Sequence, residues 1–154
     1  MIEKNKTTIA LLAQQARTEH AELHHLLDTV RKQLGTSKEK SQQRAAPSVV
    51  AAVNELRDHV ERHFDREEHG GWLEETEAHA PYLAHQLTKL ERQHKPLRER
   101  AAHLVVEAEA SEGTTTSTDQ LRSDFETFAR QLLMHENDEE RVLQEGFNED
   151  LDLT

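Results

Sequence analysis

Apolar residues recur at alternating steps of four and three through four stretches of this chain. The first carries Ile9, Ala13, Ala16, His20, Leu23, Leu27, Val30 and Leu34, and the second Val49, Val53, Leu56, Val60, His63 and Glu67. The third carries Leu83, Leu87, Leu90, His94, Leu97, Ala101 and Leu104, and the fourth Leu121, Phe125, Phe128, Leu132, His135, Glu139 and Val142. A sustained 4-3 stripe places one apolar seam along a helix, so each stretch predicts a helix packed against neighbours. Breakers separate them: Gly35 with the polar run that ends at Pro47, the pair Gly70-Gly71 with WLEETEAHA before Pro81, and SEGTTTST. The predicted helices run from about Thr7 to Leu34, Ser48 to His69, Pro81 to Ala110, and Asp119 or Thr118 to Gly146, with a short acidic tail after the last. Pro96 should kink the third helix locally, because it removes a backbone donor. Short breakers between four helices predict an all-α, up-down-up-down antiparallel four-helix bundle forming one domain across residues 1–154.

Every stripe turns polar at one place: His20; His63 and Glu67; His94; His135 and Glu139. These positions have core register, so their side chains should point inward. In an antiparallel hairpin, facing residues lie equally far from the turn. The midpoints of 20 and 63, of the 63/67 pair and 94, and of 94 and 135 all fall in breaker regions. The polar positions therefore converge on one layer. His24 and His59 lie four residues from His20 and His63 on the same helix faces, close enough to join it.

Two carboxylates and four imidazoles in an apolar layer carry a desolvation cost of several kcal/mol for each uncompensated charge. A pair of divalent metal ions offsets that cost, with imidazoles donating lone pairs and carboxylates supplying charge and bridging. The competing reading is a satisfied polar network, or His⁺–Glu pairs that fix helix register or respond to pH.

Composition narrows the alternatives. The 154 residues hold 34% hydrophobic, 32% charged and only 4% aromatic side chains, with 5 Gly and 3 Pro. That balance suits helices and disfavours a sandwich or barrel. Cysteine is absent, which removes disulfides, thiolate metal sites and cysteine nucleophiles. A net charge of -11 argues against a nucleic-acid partner. No apolar run approaches the roughly 20 residues of a membrane span, and no signal-peptide h-region is legible, so a cytoplasmic location is expected. Neither a Ser-His-Asp pattern nor a phosphate-binding loop is present. Against this background, eleven histidines are far more than helix packing requires.

The stretches EHAELHHLL at 19–27, HFDREE at 63–68, QH at 93–94 and MHENDEE at 134–140 resemble the hemerythrin-like, or HHE cation-binding, domains. HFDREEHGGWLEE and HENDEERVLQEGFNED are similar to one bacterial branch of that family, and the likeness spans roughly residues 10–150. The resemblance implies a four-helix bundle around a non-haem di-iron centre, usually built from five histidines and two bridging carboxylates. Carried over, it implies His20 from the first helix, His63 and Glu67 from the second, His94 from the third, and His135 and Glu139 from the fourth. Glu67 and Glu139 would be the bridges. The oxygen-carrying members place an HxxxH pair on the third helix, whereas Leu90 and Arg98 flank His94 here at that spacing. His24 or His59 is then expected to supply the remaining imidazole.

Two function classes follow from the resemblance. One is a di-iron protein that binds or senses dioxygen, nitric oxide or peroxide, or handles iron. The other is an oxidase or peroxidase with the same centre; a donor set of this kind also accepts manganese or zinc. Outside the stripe, Glu68 and Glu140 are expected at the solvent face and Glu136 at the rim, where it can accept an imidazole N–H. His25, His69, His79, His85 and His103 are expected at the surface, and Trp72 and Tyr82 at the bundle end.

Overall fold

The computed structural model describes the backbone of residues 2–36, 47–113 and 118–152, and side chains within 11–35, 47–78, 80–112 and 118–146. Residues 37–46 in the polar stretch before Pro47, residues 114–117 of SEGTTTST, the Ile9 side chain and the His79 side chain lie outside the described residues, and 111–113 of SEGTTTST are helical. The elements are α1 (Ile2–Thr36), α2 (Pro47–His69), α3 (Trp72–His79), a 3-10 turn (Pro81–Leu83), α4 (Ala84–Gly113) and α5 (Asp119–Asp152). Among the described residues there is no strand, and no helix is long and apolar enough to cross a membrane.

Local chemistry explains the boundaries. Pro47 opens α2, where its missing N–H would have had no intrahelical partner. Gly71 adopts φ +84°, a left-handed conformation that costs an L side chain energy, and so redirects the chain after α2. The Thr118 carbonyl accepts the Arg122 N–H at 3.0 Å, closing the first turn of α5. The helix α4 continues through Pro96.

Several boundaries depart from the sequence expectation: α1 begins at Ile2 rather than near Thr7, and α4 runs on to Gly113 rather than stopping near Ala110. WLEETEAHA forms α3 rather than a loop, with Glu74 and Glu75 in its first turn, where the helix dipole favours negative charge. Pro81 opens a 3-10 turn rather than α4 itself. Finally, α5 passes through Gly146 and ends six residues later, at Asp152. A glycine inside a helix costs less than the tertiary packing around it returns.

The four long helices pack in a ring, α1 against α2 and α5, and α4 against α2 and α5, while α3 touches all four. Every predicted stripe residue with a described side chain is buried except Ala13, which is half-buried. The core is divided in two. One apolar cluster includes Leu23, Leu27, Leu56, Val60, Phe64, Leu97, Leu104, Phe125, Phe128 and Leu132. The other gathers Ala16, Trp72, Leu83, Leu87, Leu90, Val142 and Leu143. Trp72 is therefore a core residue at the bundle end, as expected, whereas Tyr82 is 58% exposed. The polar positions lie between the clusters: His20 between Ala16 and Leu23, His94 between Leu90 and Leu97, and His135 and Glu139 between Leu132 and Val142.

Candidate metal centre

Six side chains from four helices form one layer: His20 on α1, His63 and Glu67 on α2, His94 on α4, and His135 and Glu139 on α5. Each is at most 3% exposed. Their stripe positions put them on the inward face of each helix, with an apolar cluster above and another below.

The donors fall into two groups that meet at the carboxylates. Glu139 Oε2 lies 3.0 Å from His20 Nε2 and 3.5 Å from His63 Nε2. Its Oε1 lies 2.5 Å from His135 Nε2 and 3.9 Å from His94 Nε2. Glu67 divides in the same way, with Oε1 2.5 Å from His63 Nε2 and Oε2 2.9 Å from His94 Nε2. Each carboxylate thus presents one oxygen to the His20–His63 pair or its His63 edge, and the other to the His94–His135 side. Donor atoms of Glu67, His94, His135 and Glu139 lie within 4.8 Å of one another, as do those of His20, His63 and Glu139.

Close approach here is not hydrogen bonding. Of these contacts only His20–Glu139 is aligned as a hydrogen bond. His63 Nε2, His94 Nε2, His135 Nε2, both Glu67 oxygens and Glu139 Oε1 are buried without a hydrogen-bond partner. Six orphaned polar atoms in one layer would carry a penalty of about 1–3 kcal/mol each if nothing satisfied them. All six are metal-donor atoms of the N/O type that iron, manganese and zinc accept. The residues present therefore fit a metal ion, and the layer could hold one on either side of Glu139.

The opposite ring nitrogens are all occupied. His20 Nδ1 donates to Glu140 at 2.8 Å, His94 Nδ1 to Glu68 at 3.2 Å, and His135 Nδ1 to Gln93 at 2.7 Å. His63 Nδ1 donates to Glu19, which Arg66 also contacts. Because carboxylate and amide oxygens only accept, each Nδ1 carries a proton; with a metal bound each Nε2 would present its lone pair to the layer, whereas in the metal-free layer His20 Nε2 is protonated too and donates to Glu139. Metal-ligating histidines show this outer support, which fixes the tautomer and ring orientation. Phe64 adds an apolar support, stacked on His94 with ring centroids 4.0 Å apart and planes 10° from parallel.

Charges in the layer shift strongly. Burial lowers the affinity of His20, His63 and His94 for a proton, but the surrounding carboxylates, Glu139 first, outweigh it. His20 and His94 are pushed up to about 9 and His63 to about 12. Burial also raises Glu139, yet its four imidazole contacts hold it well below the usual carboxylate range. Burial and the Glu139 charge raise Glu67. Burial raises Glu19 as well, and the His63 and Arg66 contacts reverse that, leaving it low.

Several expectations are corrected. His24 and His59 do not join the layer. Four residues displace them by about 6 Å along their helices, and each turns to another carboxylate. His24 Nε2 lies 3.2 Å from Glu136 Oε2, and its side chain is 56% exposed; His59 Nε2 lies 3.5 Å from Glu22. Glu140 is exposed as expected and Glu68 is half-buried, yet each accepts from a layer histidine, and Arg98 in turn holds Glu68 at 2.7 Å. Glu136 is a core residue, 1% exposed, rather than part of the rim. Burial, with Glu139 and Glu140 nearby, pushes its carboxyl up to about 8. Glu19, Gln93 and Phe64 escaped the sequence reading. Glu19 and Gln93 each directly precede a layer histidine and Phe64 directly follows one, and that adjacency was the available signal. His25, His69, His85 and His103 are exposed as expected.

A cavity of about 110 Å³ adjoins the layer, lined by His63 and Glu67 together with Leu12, Ala16, Glu19, Arg66 and Trp72. No family model, curated protein or solved structure matches this chain.

Proposed function

We propose that this chain is a hemerythrin-like protein: an up-down-up-down four-helix bundle holding two iron ions in its polar layer. The bundle topology is supported by the order of the two apolar clusters along the chain. α1 and α4 run from the Trp72 cluster to the Phe64 cluster, and α5 runs back the other way. α2 runs through the Phe64 cluster and ends just before Trp72.

One observation carries the metal reading: Glu67 and Glu139 each divide their two oxygens between imidazoles on opposite sides of the layer. His20 and His63 would hold one ion, His94 and His135 the other, and the two carboxylates would bridge them. Two bound iron ions supply a reversible one- or two-electron couple and a coordination position for a small ligand. The chain's own contribution is to keep four Nε2 lone pairs converged, flank them with the apolar Leu23, Phe64, Leu87 and Leu132, and hold each Nδ1 proton outward. The cavity beside His63 leaves room for a small ligand next to the layer, and dioxygen or a related diatomic or peroxide is the partner we assign.

Metal analysis of the purified chain tests this reading. Two iron ions per chain are expected, falling to one or none in His63→Ala and Glu139→Ala. A full complement in both variants would sink the assignment. Reversible spectral change of the reduced protein in air marks a binding protein, and turnover of peroxide marks an oxidase or peroxidase.

A further inference from the structure

Outside the buried layer, the described residues contain two other groups of histidine and carboxylate donors with atoms within 4.8 Å of one another: Asp65, Glu68 and His69, and His103, Glu107 and Asp124. They differ in what neutralises them. Arg98 donates to Asp65 at 3.1 Å and to Glu68 at 2.7 Å, so the first group already has its cation. In the second, the cationic group within 4.0 Å among the described residues is the His103 imidazole, beside Glu107, and Arg100 acts on Asp124 through its charge from farther away.

The geometry of the second group is that of a metal site. His103 and Glu107 stand four residues apart on α4, and Asp124 faces them from α5. His103 Nε2 and Glu107 Oε1 are 3.3 Å apart. Two ligands at about 2.0–2.1 Å from a tetrahedral zinc ion are separated by about 3.4 Å, which is the same spacing. Glu107 Oε2 is enclosed and has no hydrogen-bond donor. Two carboxylates in contact across a helix pair repel one another unless a proton or a cation lies between them. Burial and the neighbouring Asp124 push the Glu107 carboxyl up to about 7, while the contact with Glu107 lowers Asp124, so a proton and a cation compete for the place between them.

We infer that His103, Glu107 and Asp124 form a separate binding site for a divalent transition-metal ion such as zinc, clipping α4 to α5. The site lies nine residues beyond His94, about 14 Å along α4, and is independent of the buried layer. One imidazole and two carboxylates neutralise a divalent ion and leave its fourth position to water, a three-ligand arrangement that zinc accepts. Gln120 supports it from outside by donating to Asp124 Oδ1 at 2.9 Å.

The test is a count of bound zinc by equilibrium dialysis of the full chain against micromolar zinc, with wild type, His103→Gln and Asp124→Asn compared side by side. Each variant should bind one zinc fewer than wild type, whatever the buried layer takes up. Added zinc should raise the melting temperature of wild type beyond the rise seen in the variants. Equal counts in all three proteins would overturn the site and leave a shared proton between Glu107 and Asp124 as its explanation. Asp65→Asn serves as the comparison at the Arg98-paired group and should leave the count unchanged. His103 is 64% exposed at its side chain, so His103→Gln keeps the fold, which far-ultraviolet circular dichroism verifies. The difference in count tests this site even where the buried layer binds nothing.

Discussion

Gln93 accepts the Nδ1 proton of His135 at 2.7 Å, reaching from α4 to α5, and the next residue in the chain is His94, itself part of the layer. A single stretch of α4 therefore contributes one imidazole and orients another. The other three layer histidines are held by carboxylates, so His135 is the one whose outer partner is neutral.

Gln93→Leu should remove that orientation while keeping side-chain volume. Loss of an outer partner typically weakens metal binding about 10–100-fold, and chelator competition should show a loss in this range. Gln93→Glu should restore or strengthen binding, because a carboxylate accepts the same proton and adds negative charge. Equal affinity in Gln93→Leu and wild type would remove Gln93 from the site.

Phe64→Ala should have a double effect. The ring is fully buried and stacks on His94, so truncation leaves a cavity and frees the imidazole. The stability loss should be about 3–5 kcal/mol in urea unfolding of the metal-free protein. Phe64→Leu should recover most of the stability but not the stacking, so its metal affinity should stay below wild type.

The metal-free protein should lose stability as the pH rises. Folded His20 and His94 are raised to about 9 from an ordinary 6.5, so the folded state holds these protons more tightly than the unfolded chain. Their stabilisation is fully present below pH 6.5 and disappears as the pH passes through 9, on the order of a few kcal/mol. Glu139 has the opposite sign: its lowered pKa contributes above 4.5 and is lost in acid. Thermal melts of the metal-free protein should therefore peak between these limits. Metal replaces the protons, so the loaded protein should hold its melting temperature through pH 9. A metal-free melting temperature that rises from pH 7 to 9 would contradict the layer electrostatics.

Gly146→Ala should stabilise the chain. Gly146 lies within α5 with no positive φ, and an added Cβ would meet Thr76 and Leu83 at 3.6 and 3.7 Å, ordinary contact distances. Replacing an interior helical glycine is worth about 0.5–1 kcal/mol. Thermal denaturation should show a higher midpoint; a lower one would mean that α5 does not continue through this position.

The 4-3 stripes were legible because a helix that buries one seam must repeat its apolar residues at that period, whatever it packs against. The same rule exposed His20, His63, Glu67, His94, His135 and Glu139, since a polar residue in core register breaks the repeat. The α3 helix was not legible: eight residues are too few for a period, and Trp72 is buried only because the bundle end is there to receive it. The α5 terminus was misplaced for a related reason, as glycine propensity is weak beside the contacts of a buried helix face.

The sequence alone therefore determined the four long helices, their buried seams and the six residues of the polar layer, because all three follow from periodicity along one chain. Only the tertiary structure decided how those residues divide around Glu67 and Glu139. It also turned His24 and His59 to other carboxylates, and placed Glu19, Glu68, Gln93 and Glu140 on the outer nitrogens. Those relationships join side chains on different helices, at distances of a few ångströms that no spacing within a single helix encodes.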